Sequence, residues 1–445
     1  MKILLVVVLF FMSFGLSGQT LCLEQARVLA LAHSRSLARY NMAIRNAVLD
    51  ERNQLFSMLP SLSADYSLTM NYLDRDWGFV NPIDTFNAGA TFSITQIIFQ
   101  GGRNFIQRAI SQIATENVSI EASAEYFNVL DAVDNAYYAV LEAAANLQAA
   151  ESSLQTAELS LSMAEIRRSG GMISQGEYLR ALADKEARES SRNQARRSLT
   201  LAMSRLNALT GLSGTAELAE VDFEAYEQVI RHLAGISDEQ ADALFDRFWH
   251  MLAQTNPSLA QASLNSRRAE KNLSLARRDY SPTVSATIFS NVLNYSTANG
   301  FTNSTGGGIS IRGSIPVDFW VMANRVERSI IARDSAALDF IGAEASLETE
   351  LHSALINAIA QAETVLSSRR TLEYIERHFE YVMERFRLLN ASVADLGEAS
   401  SLLITSRNNL IRASYGFLQS LSRLRSLGAI DNEETLARLL LGSEA

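Results

Sequence analysis

The chain is written twice, and this duplication limits its folding choices more than any other feature. A shift of 222 places carries Ser36-Leu37-Ala38 onto Ser258-Leu259-Ala260, Arg45 onto Arg267, Ala47 onto Ala269, Pro60 onto Pro282, Ser63-Ala64 onto Ser285-Ala286 and Arg103 onto Arg325. A shift of 218 then carries Ser204-Arg205-Leu206 onto Ser422-Arg423-Leu424, Leu209 onto Leu427 and Ala195 onto Ala413. A drift of that size is what small insertions and deletions leave in an internal repeat. Both halves must therefore fold alike, in the order helix, strand, strand, long helix, helix.

Residues 24–58 and 245–279 carry a helical pattern that stops before Pro60 and Pro282. Proline cannot continue a helix and drives its predecessor toward extended backbone. Beyond it the period changes. Leu62, Ala64, Tyr66, Leu68, Met70 and Tyr72 alternate with Ser63, Asp65, Ser67, Thr69 and Asn71. A period of two marks a strand with one apolar and one polar face. Phe86, Ala88, Ala90, Phe92 and Ile94 repeat it, as do Val284, Ala286 and Ile288, and then Ile309, Ile311, Ile315 and Val317. Loops are expected at 73–85 and 295–306, and Gly306-Gly307-Gly308 is expected to be a barrel turn, since it leads into a strand and lacks the Lys-Ser/Thr of a phosphate loop. Four strands cannot close a barrel alone, yet each has about the ~10 residues that cross a bilayer obliquely. In an exported chain this favours a barrel shared between subunits over a soluble sandwich.

From Arg103 to Ser169 there are 67 residues without glycine or proline. Val133, Val140, Leu147, Leu154 and Leu161 hold one heptad position, and Ala136, Ala143, Ala150, Ala157 and Ala164 hold another. Such heptads mean closely packed, supercoiled helices, and at ~1.5 Å per residue the segment could reach ~100 Å. In the second half, 343–396 also lacks glycine and proline, with Leu372, Phe379 and Phe386 against Ile375, Val382 and Leu389. Breaks at Gly170-Gly171 and Leu389–Ser392 precede return helices over 174–210 and 393–427.

Lys2, the apolar run Ile3–Phe14 and the small residues of 15–18 read as a cleaved secretory leader over 1–18. The first repeat then spans 19–212, a linker 213–240, the second repeat 241–430 and a C-terminal tail 431–445. No later run approaches the ~18 apolar residues of a membrane-crossing helix. The single cysteine, Cys22, allows no internal disulfide, and Leu21 before it is larger than the small residue that lipidation signals carry. A net charge of −10 argues against nucleic acid as a partner. His33, His232, His250, His352 and His378 are scattered, and neither a metal constellation, nor a G-x-S-x-G nucleophile elbow, nor carboxylates paired for acid–base work is visible. The chain reads as a non-enzyme needing no cofactor.

An ordered, duplicated set of strings covers nearly the whole mature chain: LEQARVLALAHSRSL from Leu23, LPSLSADY from Leu59, QIIFQGGR from Gln96, GGMISQGEYLRALAD from Gly170 and LNALTGL from Leu206. Together they resemble the TolC-like outer-membrane efflux proteins. That resemblance implies an α+β membrane protein of the outer membrane. A homotrimer would build a 12-stranded β-barrel, four strands per protomer, continued by a long α-helical coiled-coil tunnel through the periplasm. It also implies a passive duct of a tripartite efflux or type I secretion system, whose partners are a periplasmic adaptor, an inner-membrane transporter and outer-membrane lipid. The alternative is a structural or adhesive envelope protein whose coiled coil is a spacer. The family's entrance pattern resembles Ser392 to Glu398, where Asp395 and Glu398 lie one helical turn apart, and Glu177 is the first-half counterpart. Three-fold symmetry would make these acids rings that attract cations. Phe386 and Ala391 occupy the positions of the lock-forming tyrosine and arginine of the best-known member, so the entrance is expected to lock otherwise, with Arg387 and Tyr178 as candidates.

Overall fold

The computed structural model of the chain describes residues 20–71, 85–214, 216–296, 302–303, 305–388 and 390–442. The leader read at 1–18, most of the 73–85 loop, Tyr72 and Leu389 lie outside the described residues. In chain order the helices are α1 (Leu23–His33), α2 (Arg35–Phe56), α3 (Arg103–Ser169), α4 (Gln175–Thr210), α5 (Glu227–Ala234), α6 (Asp238–Thr255), α7 (Pro257–Arg277), α8 (Phe319–Arg387), α9 (Val393–Leu427) and α10 (Glu433–Leu441). The strands are β1 (Ser61–Asn71), β2 (Thr85–Phe99), β3 (Thr283–Ser296), β4 (Thr302–Asn303) and β5 (Gly306–Ser314). The chain divides into two compact units, each drawn from both repeats: one holds 1–38, 123–257 and 345–445, the other 39–122 and 258–344.

In the unit of 39–122 and 258–344, β1, β2, β3 and β5 form an antiparallel sheet in that order, and two-residue β4 extends the β3 edge. One register row runs Leu62–Ile94–Ile288–Ile309, wholly apolar. Its members are exposed, Leu62 by 79% and Ile309 by 73%, and so are Tyr66, Phe92 and Ile311 on the same face. The next row, Ser61–Thr95–Thr287–Ser310, is wholly hydroxyl-bearing. On that second face Ser63 and Ser93 hydroxyls lie 2.7 Å apart, Thr95 and Thr287 3.0 Å, and the Thr91 hydroxyl donates to Asn291 at 2.9 Å. Polar groups thus satisfy one another across strands while the opposite face is left bare. Among the described residues β1 pairs only with β2, and β5 only with β3. Where the strands meet the helices, Arg103 and Arg325, equivalent in the two repeats, both grip buried Asp279.

Three strand expectations need correction. Gly306-Gly307-Gly308 is part of β5 and not a turn. The reason lies across the strand: a Cβ on Gly308 would come within 3.0 Å of the Phe289 ring, and one on Gly307 within 2.9 Å of the Phe289 carbonyl. Glycine here makes room for an aromatic neighbour. β3 runs on through Tyr295 and Ser296, and β4 takes up two more residues of the expected 295–306 loop. Ile315 and Val317 follow the end of β5 instead of belonging to it.

In the unit of 1–38, 123–257 and 345–445 the core is built from Tyr137, Ile230, Leu233, Phe248, Leu252, Phe417, Leu418 and Leu424, each at most 1% exposed. A buried ionic cluster ties four helices together. Arg27 of α1 donates to both Asp134 oxygens at 2.7 and 2.9 Å, and Arg425 of α9 donates to Asp134 at 2.6 Å. Arg27 also reaches Glu433 of α10 at 2.5 Å, and the Tyr226 hydroxyl donates to Glu433 at 3.0 Å. Burial pushes the Glu433 carboxyl up, but Arg27, Tyr226 and Arg425 outweigh it, and the group rests below the usual carboxylate range. Buried charges persist only when paired with opposite charges in this way.

The long helix α3 and the return helices α4 and α9 follow the sequence expectations closely. The single helices expected at 24–58 and 245–279 are instead interrupted, at Ser34 and at Asn256. These two breaks are themselves repeat-related. The Ser34 hydroxyl accepts from the Leu37 amide at 3.3 Å, and the Asn256 side-chain amide donates to the buried Leu427 carbonyl at 2.9 Å. In α3 the alanine seam is buried at Ala150, Ala157 and Ala164, the leucines beside it are half-buried, and the seam is completed by Ser153, Ser160 and Arg167.

Candidate entrance site

Two helical hairpins, α3–α4 and α8–α9, end in turns of the same design. In the first, Gly171 at φ +69° reverses the chain and the Met172 amide donates to the Arg167 carbonyl at 2.8 Å. Ser174 then caps α4: the Glu177 amide donates to the Ser174 hydroxyl at 3.2 Å, and the Ser174 amide donates back to the Glu177 carboxylate at 2.9 Å. In the second hairpin the Asn390 amide donates to the Arg385 carbonyl at 2.8 Å. Ser392 caps α9 in the same way, with Asp395 supplying the reciprocal carboxylate at 2.9 Å. Both are capping boxes, which satisfy two otherwise orphaned amides per helix.

The acids expected at an entrance therefore divide by role. Glu177 and Asp395 are equivalent third residues of their helices, and their carboxylates serve the caps. Hydrogen bonds from the Ser392 backbone and side chain hold the Asp395 carboxyl below its ordinary value. Asp395 and Glu398 are both exposed, one turn apart, and Glu177 is half-buried. Tyr178 packs within its own hairpin, its ring 4.2 Å beneath the Arg168 guanidinium and its hydroxyl 3.5 Å from Glu165. Arg387 is exposed beside Phe386, which is fully buried.

The residue that joins the two hairpins is Arg167, which the sequence reading did not single out. Its guanidinium lies 4.1 Å over the Phe386 ring and donates to the Phe386 carbonyl and, at 3.4 Å, to the Ala391 carbonyl. Phe386 is in the last turn of α8, so a cation from one hairpin neutralises the carbonyl-rich end of a helix in the other. Burial lowers the Arg167 guanidinium from its ordinary value, with Glu177 opposing the shift. Beneath it Ala164, Ala181, Val382, Phe386, Val393, Leu396 and Ala399 form one apolar cluster drawn from both hairpins. Among the described residues no group of His, Cys, Asp and Glu side chains could hold a metal ion.

A duplicated chain with two long strands per repeat, bare on one face, and paired helical hairpins has the fold of outer-membrane channels. Solved structures share it. The Campylobacter jejuni CmeC outer membrane channel superposes with a TM-score of 0.74 at 15% identity, covering 94% of this chain and 89% of that one. CusC, described for transmembrane channel formation, gives 0.76 at 15%, covering 91% of each chain. The Vibrio cholerae outer membrane protein VceC gives 0.72 at 16%, covering 91% of this chain and 96% of that one. No curated protein sequence matches the chain. The family model for outer membrane efflux proteins matches residues 26–212 and 249–429, and the chain belongs to that family. It is accordingly an outer-membrane efflux channel protein and not an enzyme.

Proposed function

We propose that three copies pool their strands into one 12-stranded barrel, and that their helices form a tunnel through the periplasm. The assembly is a passive export duct. Its periplasmic end engages an adaptor protein and an inner-membrane transporter, in a tripartite efflux or type I secretion system. The observation that carries this reading is the sheet, whose apolar row Leu62–Ile94–Ile288–Ile309 is uncovered and whose outer strands keep an unpaired edge among the described residues. Each bare aliphatic side chain forgoes about 1.5–3 kcal/mol of burial in water, and open edges are not tolerated in hydrocarbon. Lipid on one face and a second copy at each edge remove both costs.

Asp395, Glu398 and Glu177 then line the periplasmic entrance as rings of carboxylate, Asp395 and Glu177 from their helix caps and Glu398 one turn further along α9. The double variant Asp395→Ala with Glu398→Ala tests this in planar bilayers. Single-channel events with a reversal potential shifted away from cation preference are expected. An unchanged reversal potential removes both residues from the pore, and the absence of any channel events in wild-type protein favours a spacer role for the coiled coil.

A further inference from the structure

We infer that the Leu21–Cys22 peptide bond survives maturation, so that Cys22 is an internal thiol and not the acylated first residue of a lipoprotein. Lipoprotein processing attaches a diacylglyceryl group to a cysteine sulfur through a thioether, and water then cleaves the peptide bond on that cysteine's amino side. The freed amine is acylated, and everything before the cysteine is lost.

In this fold the residue that would be lost is part of the core. Leu21 is 1% exposed and forms a parallel bridge with Leu218. Its amide donates to the Glu217 carbonyl at 2.7 Å, and its carbonyl accepts the Ala219 amide at 2.9 Å. The hydroxyl of buried Tyr137 lies 3.0 Å from the Leu21 carbonyl and 2.8 Å from that of Ala219, locking the two segments together. Desolvation raises this phenol to about 12, so it stays a hydrogen-bond donor. Cleavage before Cys22 would open a leucine-sized void and orphan the Glu217 carbonyl and Ala219 amide beside it. Cys22 is also committed to secondary structure: it caps α1, and its amide donates to the Gln25 side chain at 3.2 Å. The sequence concurs, since Gly15 to Gly18 offer small residues whose cleavage leaves Leu21 in the mature chain.

The test is peptide mapping of protein extracted in detergent from outer membranes of cells that express the full precursor and are fed an alkyne-tagged fatty acid. A peptide containing Leu21 and Cys22 in continuity is expected, with a cysteine that iodoacetamide alkylates once the chain is unfolded and no fatty-acid label. An amino-terminal peptide that begins at Cys22 and carries diacylglyceryl mass, with label that Cys22→Ser abolishes, would overturn the inference. Two variants add an independent reading. Cys22→Ser should leave membrane yield unchanged, whereas Leu21→Asp should lower the melting temperature of the detergent-solubilised protein by several degrees. A Leu21→Asp melting temperature equal to that of the wild type would show Leu21 to be dispensable and count against it.

Discussion

Arg167 couples two elements that are more than two hundred residues apart in the chain. Its direct contacts are one aromatic ring and two carbonyls, and the Glu177 carboxylate acts on its charge without a hydrogen bond to it. A buried, charge-assisted contact of this kind contributes about 1–3 kcal/mol. Arg167→Ala should therefore loosen the hairpin ends. Channel openings in planar bilayers should become several-fold more frequent, and the Leu388–Ser392 turn should be cut faster by protease. Arg167→Lys keeps the charge but not the planar fork, so it should fall between the two. Equal opening frequency and equal cleavage in the alanine variant would relieve Arg167 of any holding role. The residue was legible in principle, because it continues the heptad of Ser153 and Ser160, and an arginine on a seam of small side chains needs buried partners. Those partners belong to the other repeat, which local spacing does not reveal. The caps carry a stronger local signal than the entrance pattern read over the same residues: Ser174 with Glu177, and Ser392 with Asp395, declare a helix start within four residues.

At the scale of elements, what could be read was what glycine, proline and periodicity punctuate. The bounds of α3 follow from unbroken heptads that stop at Gly170-Gly171, the start of α9 follows from the break at 389–392, and the strands follow from alternation after Pro60 and Pro282. The interruption at Ser34 was hidden because serine is tolerated inside helices, whereas the one at Asn256 was written in Pro257, which opens α7 and which the helical periodicity over 245–279 masked. Gly307 and Gly308 were misread for a related reason: the need for glycine arises from Phe289 on the neighbouring strand, not from the local backbone. That origin makes a prediction. Gly308→Val should overpack against the Phe289 ring at a cost of about 1–3 kcal/mol, seen as a lower unfolding temperature of the detergent-solubilised protein. Phe289→Ala in the same chain should restore most of the loss. Additive losses in the double variant would separate the two residues and return the glycines to a role in chain reversal.

For the whole molecule, the question is which surfaces a second copy covers. The sheet supplies its outer strands, and α8, with Leu388 just beyond its end, supplies a stripe. Tyr374, Tyr381 and Leu388 are exposed by 65%, 61% and 68% and recur every seven residues. Ser353, Ala360 and Ser367 continue the same heptad position toward the amino end, also exposed. A stripe that grades from small to large side chains, set apart from the buried seam at Leu351, Leu355, Ala358, Ala362 and Val365, is a second coiled-coil face on one helix. Tyr381 has the Arg385 guanidinium 5.7 Å over its ring, yet both tyrosines stay largely exposed in the protomer, and burying each against a neighbour yields about 1.5–3 kcal/mol, repeated at every interface of the proposed ring. Tyr374→Glu combined with Tyr381→Glu should therefore split the proposed trimer, giving a protomer-sized species by light scattering in detergent with its helical circular dichroism retained. Loss of helicity together with the trimer would mean that α8 cannot fold without its neighbours. A variant that remains trimeric would leave the strand edges as the sole source of assembly, and the stripe would then belong to a different partner.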